Sequence, residues 1–260
     1  MSLAGSSEHR TIEDLVALIR TLRGPEGCPW DKSQDLADIK TYLIEECYEV
    51  VDAIDQGSFP QLKEELGDLL FHVVFLAYLS QERGEFTLND VLQAIHKKMT
   101  IRHPHVFGDA QIMDVEGVQD NWWRIKKQEK EKAGSLLDGI PGSLPALHQA
   151  FRLGRRASRV GLDWPDQKSI LAKLLEEYRE LGHAIQQGSV DQIEDELGDV
   201  LFTVANLAMS LRINPEEALN RSNQKFIRRF KALEKTALQH GKNLEDLSAN
   251  ELDALWERIK

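Results

Sequence analysis

Cysteine is almost absent: Cys28 and Cys47 are the only two among 260 residues. Two widely spaced cysteines build neither a disulfide framework nor a close-set metal site. Long apolar runs are missing as well. No stretch approaches the roughly 18–20 apolar residues that cross a bilayer, and Met1 to Arg10 lacks the apolar centre of a secretory signal. The cytoplasm is therefore the expected location, with residues 1–10 expected to be disordered. Positive charge is in deficit: 32 basic residues against 43 acidic leave a net charge of −11. That sign repels a nucleic-acid backbone, so neither nucleic acid nor a membrane is an expected partner. Small phosphorylated ligands stay admissible if a cation mediates.

Strand patterning is scarce too, and helical spacing takes its place. The apolar positions Leu66, Leu69, Leu70, Val73, Val74 and Ala77 follow one helical stripe. Leu197, Val200, Leu201, Val204, Leu207 and Ala208 follow another. The expected class is all-α.

The two stripes belong to an internal repeat. Glu-Glu-Leu-Gly-Asp-Leu-Leu-Phe at 64–71 returns as Asp-Glu-Leu-Gly-Asp-Val-Leu-Phe at 195–202, an offset of 131 residues. At the same offset Glu45-Glu46-x-x-Glu49 meets Glu176-Glu177-x-x-Glu180, and Gly57-Ser58 meets Gly188-Ser189. Downstream the register slips by four, aligning Lys98 and Arg102 with Lys225 and Arg229. One offset held across so many acidic positions marks a duplication. Gly and Pro punctuate the join at Gly139-Ile-Pro-Gly-Ser-Leu-Pro145. The expected organisation is a first unit at 1–133, a linker at 134–145 and a second unit at 146–260.

Residues three or four apart share a helix face. Glu177 and Glu180 thus project together from one helix, and Glu196 and Asp199 from the next. The short Gln186–Ser189 connection forces these helices antiparallel and adjacent. Four carboxylates then converge, which is unfavourable without a cation. An oxygen-only cluster suits Mg²⁺, with Mn²⁺ as a substitute. On a wheel of about 100° per residue, Glu196 falls roughly 80° and Glu177 roughly 60° from the centre of its apolar stripe. Both therefore border the buried face. A lone Glu-x-x-Glu is usually a solvated surface; two such motifs across a tight turn, present twice, point to a metal site.

These residues resemble the MazG family of nucleoside triphosphate pyrophosphohydrolases, within the all-α superfamily that includes the dimeric dUTPases. The resemblance spans nearly the whole chain. It includes Gly27-Cys-Pro-Trp-Asp31, Leu66-Gly-Asp-Leu-Leu-Phe71, Arg102-His-Pro-His-Val-Phe107, Gly161-Leu-Asp-Trp164 and Lys225-Phe-Ile-Arg-Arg-Phe230. Gln34-Asp35-Leu36 departs from the Gln-Thr usual in the family. The resemblance implies tandem helical units of the all-α NTP pyrophosphatase type, and hydrolysis of an NTP to NMP and pyrophosphate with broad base tolerance. It also implies a role in nucleotide-pool or stress control. Glu177, Glu180, Glu196 and Asp199 would hold the metal. Glu176 would position water or contact the nucleotide. Lys173, Lys225 and Arg229 would meet phosphate, Lys260 would do so or be a frayed end, and Trp256 would stack on the base or simply anchor the C-terminal helix.

The acidic sets are complete in both copies, so the neighbouring charge must choose between them. Lys173 aligns with Tyr42, and in similar two-unit proteins the C-terminal unit carries the activity. The second unit is therefore the expected catalyst, with Glu46, Glu49, Glu65 and Asp68 forming a weaker or structural second metal site. A di-iron carboxylate bundle needs two Glu-x-x-His motifs; only Glu180-Leu-Gly-His183 fits, its counterpart being Glu49-Val-Val-Asp52. The rival class is a regulatory scaffold that binds nucleotide with degenerate catalysis, and the intact acids argue against it. His103-Pro104-His105 reads as a turn, and Trp122, Trp123 and Phe151 as packing or interface residues. The Lys126–Lys132 run reads as a solvated face. Each unit is a thin bundle with apolar surface left over, so a homodimer is expected; the sequence leaves open which units pair.

Overall fold

The computed structural model describes residues 9–111, 114–130 and 134–260. Most of the stretch expected to be disordered, 1–8, and the end of the charged run, 131–132, lie outside the described residues. Among the described residues there is helix and no strand, and no helix is long and apolar enough to cross a membrane. The chain divides into two compact units, Met1–Lys132 and Ala133–Lys260.

In the first unit, α1 (Ile12–Arg23) is opened by a capping box between Thr11 and Asp14. A short α2 (Pro29–Ser33) follows. The long hairpin is α3 (Leu36–Asp55) and α4 (Phe59–Glu82). Asp35 starts α3 by accepting from the amides of Ala37 and Asp38 at 2.7 and 3.1 Å. Gly57, at φ 66°, supplies the left-handed residue that reverses the chain. Ile19 of α1 packs with Ile39, Val74, Phe75 and Leu79 to form the core. Arg23 secures this layer: its guanidinium binds Glu82 at 2.9 Å, donates to the carbonyl of Gln34 at 3.2 Å, and covers the Phe75 ring at 5.3 Å. Then come α5 (Leu88–Arg102), α6 (Pro104–Phe107) and α7 (Val115–Lys130). His103 Nδ1 lies 2.7 Å from the Met99 carbonyl oxygen, a role within the turn. Arg102 and Lys126 both sit over the Trp122 ring, at 5.0 and 4.9 Å.

The second unit repeats the plan. Helix α8 (Ala146–Ser158) packs on the second arm of a hairpin made by α9 (Gln167–Gln187) and α10 (Val190–Ser210). Gly188 ends α9 at φ 75° and Ser189 caps α10. Helix α11 (Pro215–Gln239) rests on α8 and α10, and α12 (Ala249–Ile259) folds back along α11. Its buried set is more polar than that of the first unit, with Arg156, Glu177, Thr203 and Asn206 beside Ile170, Ala205 and Leu233.

Residues 134–145 carry turns rather than helix, and they are fastened to the second unit rather than left as a free tether. Buried Arg156 of α8 donates to the carbonyls of Leu136 and Asp138 at 2.8 and 2.6 Å. Replacing it leaves two inward-facing carbonyls without their donor. Arg156→Ala is expected to cost on the order of 2–4 kcal/mol, measured by denaturant unfolding; a loss within about 0.5 kcal/mol, the range of ordinary surface changes, would refute that anchoring role.

Candidate active site

Both hairpins bring acids together across the helix pair. In the second unit one carboxylate oxygen each from Glu177 of α9 and from Glu196 and Asp199 of α10 lies within 4.8 Å of the others. Glu177 is buried, 6% exposed, while Glu196 is half-buried and Asp199 open to solvent. The cluster thus has a dry floor and a wet mouth. In the first unit the trio is Glu46, Glu49 and Glu65, in which Glu49 stands at the position of Glu180 and the counterpart of Asp199 is missing from it.

Two of the expected ligands stand outside these trios. Glu180 follows Glu177 by one turn and remains coupled to it. Loss of hydration raises its pKa above the ordinary carboxyl value, helped by a hydrogen bond with Glu177 and by the charges of Glu177 and Glu196, while Lys173 opposes. Asp68 likewise misses the tight first trio, yet its charge helps raise the pKa of Glu46. For Glu46 desolvation is the larger cause, followed by Glu49 and then Asp68 and Glu65. Glu65 is pushed up the same way, by desolvation and then Glu49. All these shifts say that the clusters carry more negative charge than their surroundings favour.

The two units answer that excess differently. In the second, Lys173 Nζ sits 2.9 Å from Glu177 Oε1 and 2.5 Å from Glu176 Oε1, and these acids raise its pKa. Glu176 itself is exposed. In the first unit Tyr42 takes the lysine's place and stacks on His72 at 5.8 Å between ring centroids. His72 Nε2 lies 3.6 Å from Glu46 Oε1, but burial lowers its pKa against the opposing charge of Asp68, so it favours the neutral form. Glu46 Oε2 is buried with no hydrogen-bond partner. A divalent cation suits both trios: every donor is a carboxylate oxygen, and the buried Glu46 Oε2 has a lone pair that such a cation would engage.

The remaining sequence candidates gather on α11 and α12. Arg229 donates to the backbone carbonyl of Lys260 at 2.8 Å, and Lys260 Nζ pairs with Glu257 at 2.5 Å. Trp256 packs against Phe226, ring centroids 5.4 Å apart. Lys225 is exposed one turn before Arg229. Among the described residues neither Arg229 nor Lys260 pairs with a carboxylate of the trio. His72 and Asn206 were not singled out from the sequence, although a signal was there. Across Phe71–Ala77 and Phe202–Ala208 the copies run nearly in parallel, and they differ sharply at His72 against Thr203 and Phe75 against Asn206.

The profile of the MazG nucleotide pyrophosphohydrolase domain matches twice, over residues 34–107 and 166–233. The chain is 43% identical, over 95% of its length and 95% of the relative's, to the nucleoside triphosphate pyrophosphohydrolase/pyrophosphatase MazG of Thermotoga maritima. It is 41% identical to the nucleoside triphosphate pyrophosphohydrolase of Escherichia coli K12, over 96% of this chain and 97% of that one. Uncharacterized protein YabN of Bacillus subtilis is 44% identical over 94% of this chain and 50% of its own.

Lys173 is the internal counter-charge of the second trio, so its removal isolates a buried Glu177 carboxylate. Lys173→Met is expected to lower the thermal midpoint in EDTA, and millimolar Mg²⁺ is expected to restore most of the loss. Equal midpoints for variant and parent in EDTA would show that the lysine neutralises nothing.

Proposed function

The chain belongs to the MazG nucleotide pyrophosphohydrolase family and is a nucleoside triphosphate pyrophosphatase; we propose that it cleaves NTPs to NMP and pyrophosphate with Mg²⁺ at the acidic cage of the second unit. The observation that carries this is the trio of Glu177, Glu196 and Asp199 around a buried floor, already matched to one cation by Lys173. Broad base tolerance, a cytoplasmic setting and a part in nucleotide-pool or stress control complete the reading.

Glu177, Glu196 and Asp199 would hold Mg²⁺, with Glu180 one turn away as the further ligand. Held there, Mg²⁺ would supply positive charge to the phosphates and ease deprotonation of the attacking water. Water oxygen bonds to phosphorus, the α–β bridging bond breaks, and the bridging oxygen leaves with pyrophosphate. Glu176, exposed beside the cage, would orient that water and take its proton. Lys173, bonded to Glu176 and Glu177 beside the cage, would add a positive contact for the phosphates. Lys225 and Arg229, four apart on α11, supply further positive charge. Mn²⁺ suits the same oxygen set. In the first unit Glu46, Glu49 and Glu65, with Asp68 alongside, form a second metal site without the lysine, which fits a structural role.

Glu177→Gln is expected to reduce turnover on the order of a hundredfold or more, while Glu46→Gln leaves it near the parent rate. NMP, NDP, pyrophosphate and orthophosphate are scored separately over a panel of NTPs and dNTPs. The opposite pattern of variants would move catalysis to the first unit, and NDP with orthophosphate would overturn the cleavage position.

The reading includes a homodimer. Half of each hairpin's apolar stripe is uncovered, at the same positions in both copies: Leu66, Leu70 and Val73 in α4, and Leu197, Leu201 and Val204 in α10. Helices of a soluble bundle cover such faces by pairing. Light scattering on the eluting protein should give twice the 29.6 kDa chain mass, falling toward one chain when Leu70 and Leu201 are both changed to Glu. A parent protein that runs as a single chain would end this part of the reading.

A further inference from the structure

The first cage is bordered by an imidazole, while the matching place in the second unit holds Thr203. His72 lies on α4 one turn beyond Asp68 and two beyond Glu65, so the three share one side of the helix. Its ring is held in a slot of aromatic groups, stacked on Tyr42 with centroids 5.8 Å apart and edge-on to Phe71 at 5.5 Å. The side chain is only 13% exposed. Nδ1 is buried without a hydrogen-bond partner among the described residues. The outlet of the ring is therefore Nε2, which faces Glu46 Oε1 at 3.6 Å.

A separation of 3.6 Å is too long for a hydrogen bond. It is close to the roughly 3.4 Å between two ligands of one tetrahedral cation, given bond lengths of about 2.0–2.1 Å. Nε2 stands at the Glu46 end of the trio rather than inside it, so an ion that it meets is shared through Glu46. Asp68 belongs to the same end, since its charge acts on both His72 and Glu46. In the second unit the places of Tyr42 and His72 are taken by Lys173 and Thr203. An ammonium bonded to Glu177 competes with a metal for that carboxylate, whereas a neutral imidazole offers the metal a lone pair. One carboxylate frame is thus edged by a competitor in one copy and by a further donor in the other.

We propose that the first cage selects a nitrogen-accepting divalent ion of the Mn²⁺-to-Zn²⁺ series, ligated by His72 Nε2 together with the Glu46 carboxylate, and leaves Mg²⁺ to the second. Imidazole favours these ions, while Mg²⁺ prefers carboxylate and water oxygens. The duplicated acids then carry two different metals, and the choice is made by one residue beside each cage. With a donor in place of a competing lysine, the first cage also holds its ion more firmly. The inference rests on the reading of Glu46, Glu49 and Glu65 as a metal site and is independent of where hydrolysis takes place.

The test uses the full chain, stripped of metal and reloaded. Pulsed EPR of substoichiometric Mn²⁺ is expected to show coupling to an imidazole nitrogen, and His72→Thr is expected to abolish it. His183→Asn, which changes the exposed histidine one turn from Glu180, is expected to leave the coupling intact. In titration calorimetry, His72→Thr is expected to weaken Zn²⁺ binding about tenfold or more while Mg²⁺ binds as to the parent. His72→Gln carries the same expectations should the threonine variant fail to fold. A parent spectrum without nitrogen coupling overturns the proposal. So does a coupling lost in His183→Asn, which would put the nitrogen-bound ion in the second unit. Glu46→Gln separates the two readings. If it removes an ion that shows no nitrogen coupling, the first cage stands and the part given to His72 falls. If it leaves the number of bound ions unchanged, the first cage holds no metal and both fall.

Discussion

Everything distinctive in this protein follows from forcing like charges together across a helical hairpin. Two helices joined by a turn of a few residues must run antiparallel, and the Glu-x-x-Glu and acidic-x-x-Asp spacings then meet at one level. The cost appears in the raised carboxyl pKa values of Glu46, Glu65 and Glu180, where lost hydration is the first cause and neighbouring acids add to it. A structure that keeps such clusters through a duplication must compensate them, and the compensation differs between the copies. Lys173 lends a fixed positive charge to the second. Among the described residues the first has a histidine held toward neutrality and a Glu46 oxygen without a hydrogen-bond partner.

That difference extends inward. The first unit has a compact apolar core, with Ile19, Ile39, Val74, Phe75 and Leu79 in mutual contact. At the matching positions the second unit exchanges His72 for Thr203 and Phe75 for Asn206, and both replacements are buried. Burial of polar groups is tolerated when hydrogen bonds satisfy them, and Asn206 and Arg156 have found backbone carbonyls. The second copy has therefore given up apolar packing for polar side chains and free volume along the helix that carries its acids.

Much of this was legible in the sequence because it depends on local spacing. Helix class, the repeated hairpin, the Gly57 and Gly188 reversals and the convergence of the acids all come from periods of three and four with a turn residue at a fixed place. What spacing cannot set is depth. Glu177 and Glu180 share a face, yet only Glu177 is buried, because the rotation of α9 against α10 is decided by packing. Spacing places Lys173 beside the cage one turn before Glu177, but it does not set the bonds of its ammonium to both Glu176 and Glu177. The segment 134–145 reads as a linker from its glycines and prolines. Only the Arg156 hydrogen bonds, long in sequence separation, reveal that it is part of the second unit.

The uncovered apolar positions give the last step. Leu66, Leu70 and Val73 in one unit, and Leu197, Leu201 and Val204 in the other, kept the same character while the residues behind them diverged. Within either helix the buried side was free to become a ring or a carboxamide, because only that unit's own interior had to accommodate the change. The outer stripe faces away from that interior and stays exposed. A helical hairpin with its acids at one edge, its own core on one side and an apolar face on the other is half of a bundle. Such a half can be specialised from the inside without altering how it is completed from the outside, which is why one duplicated element could yield a well-packed copy and a hollowed one.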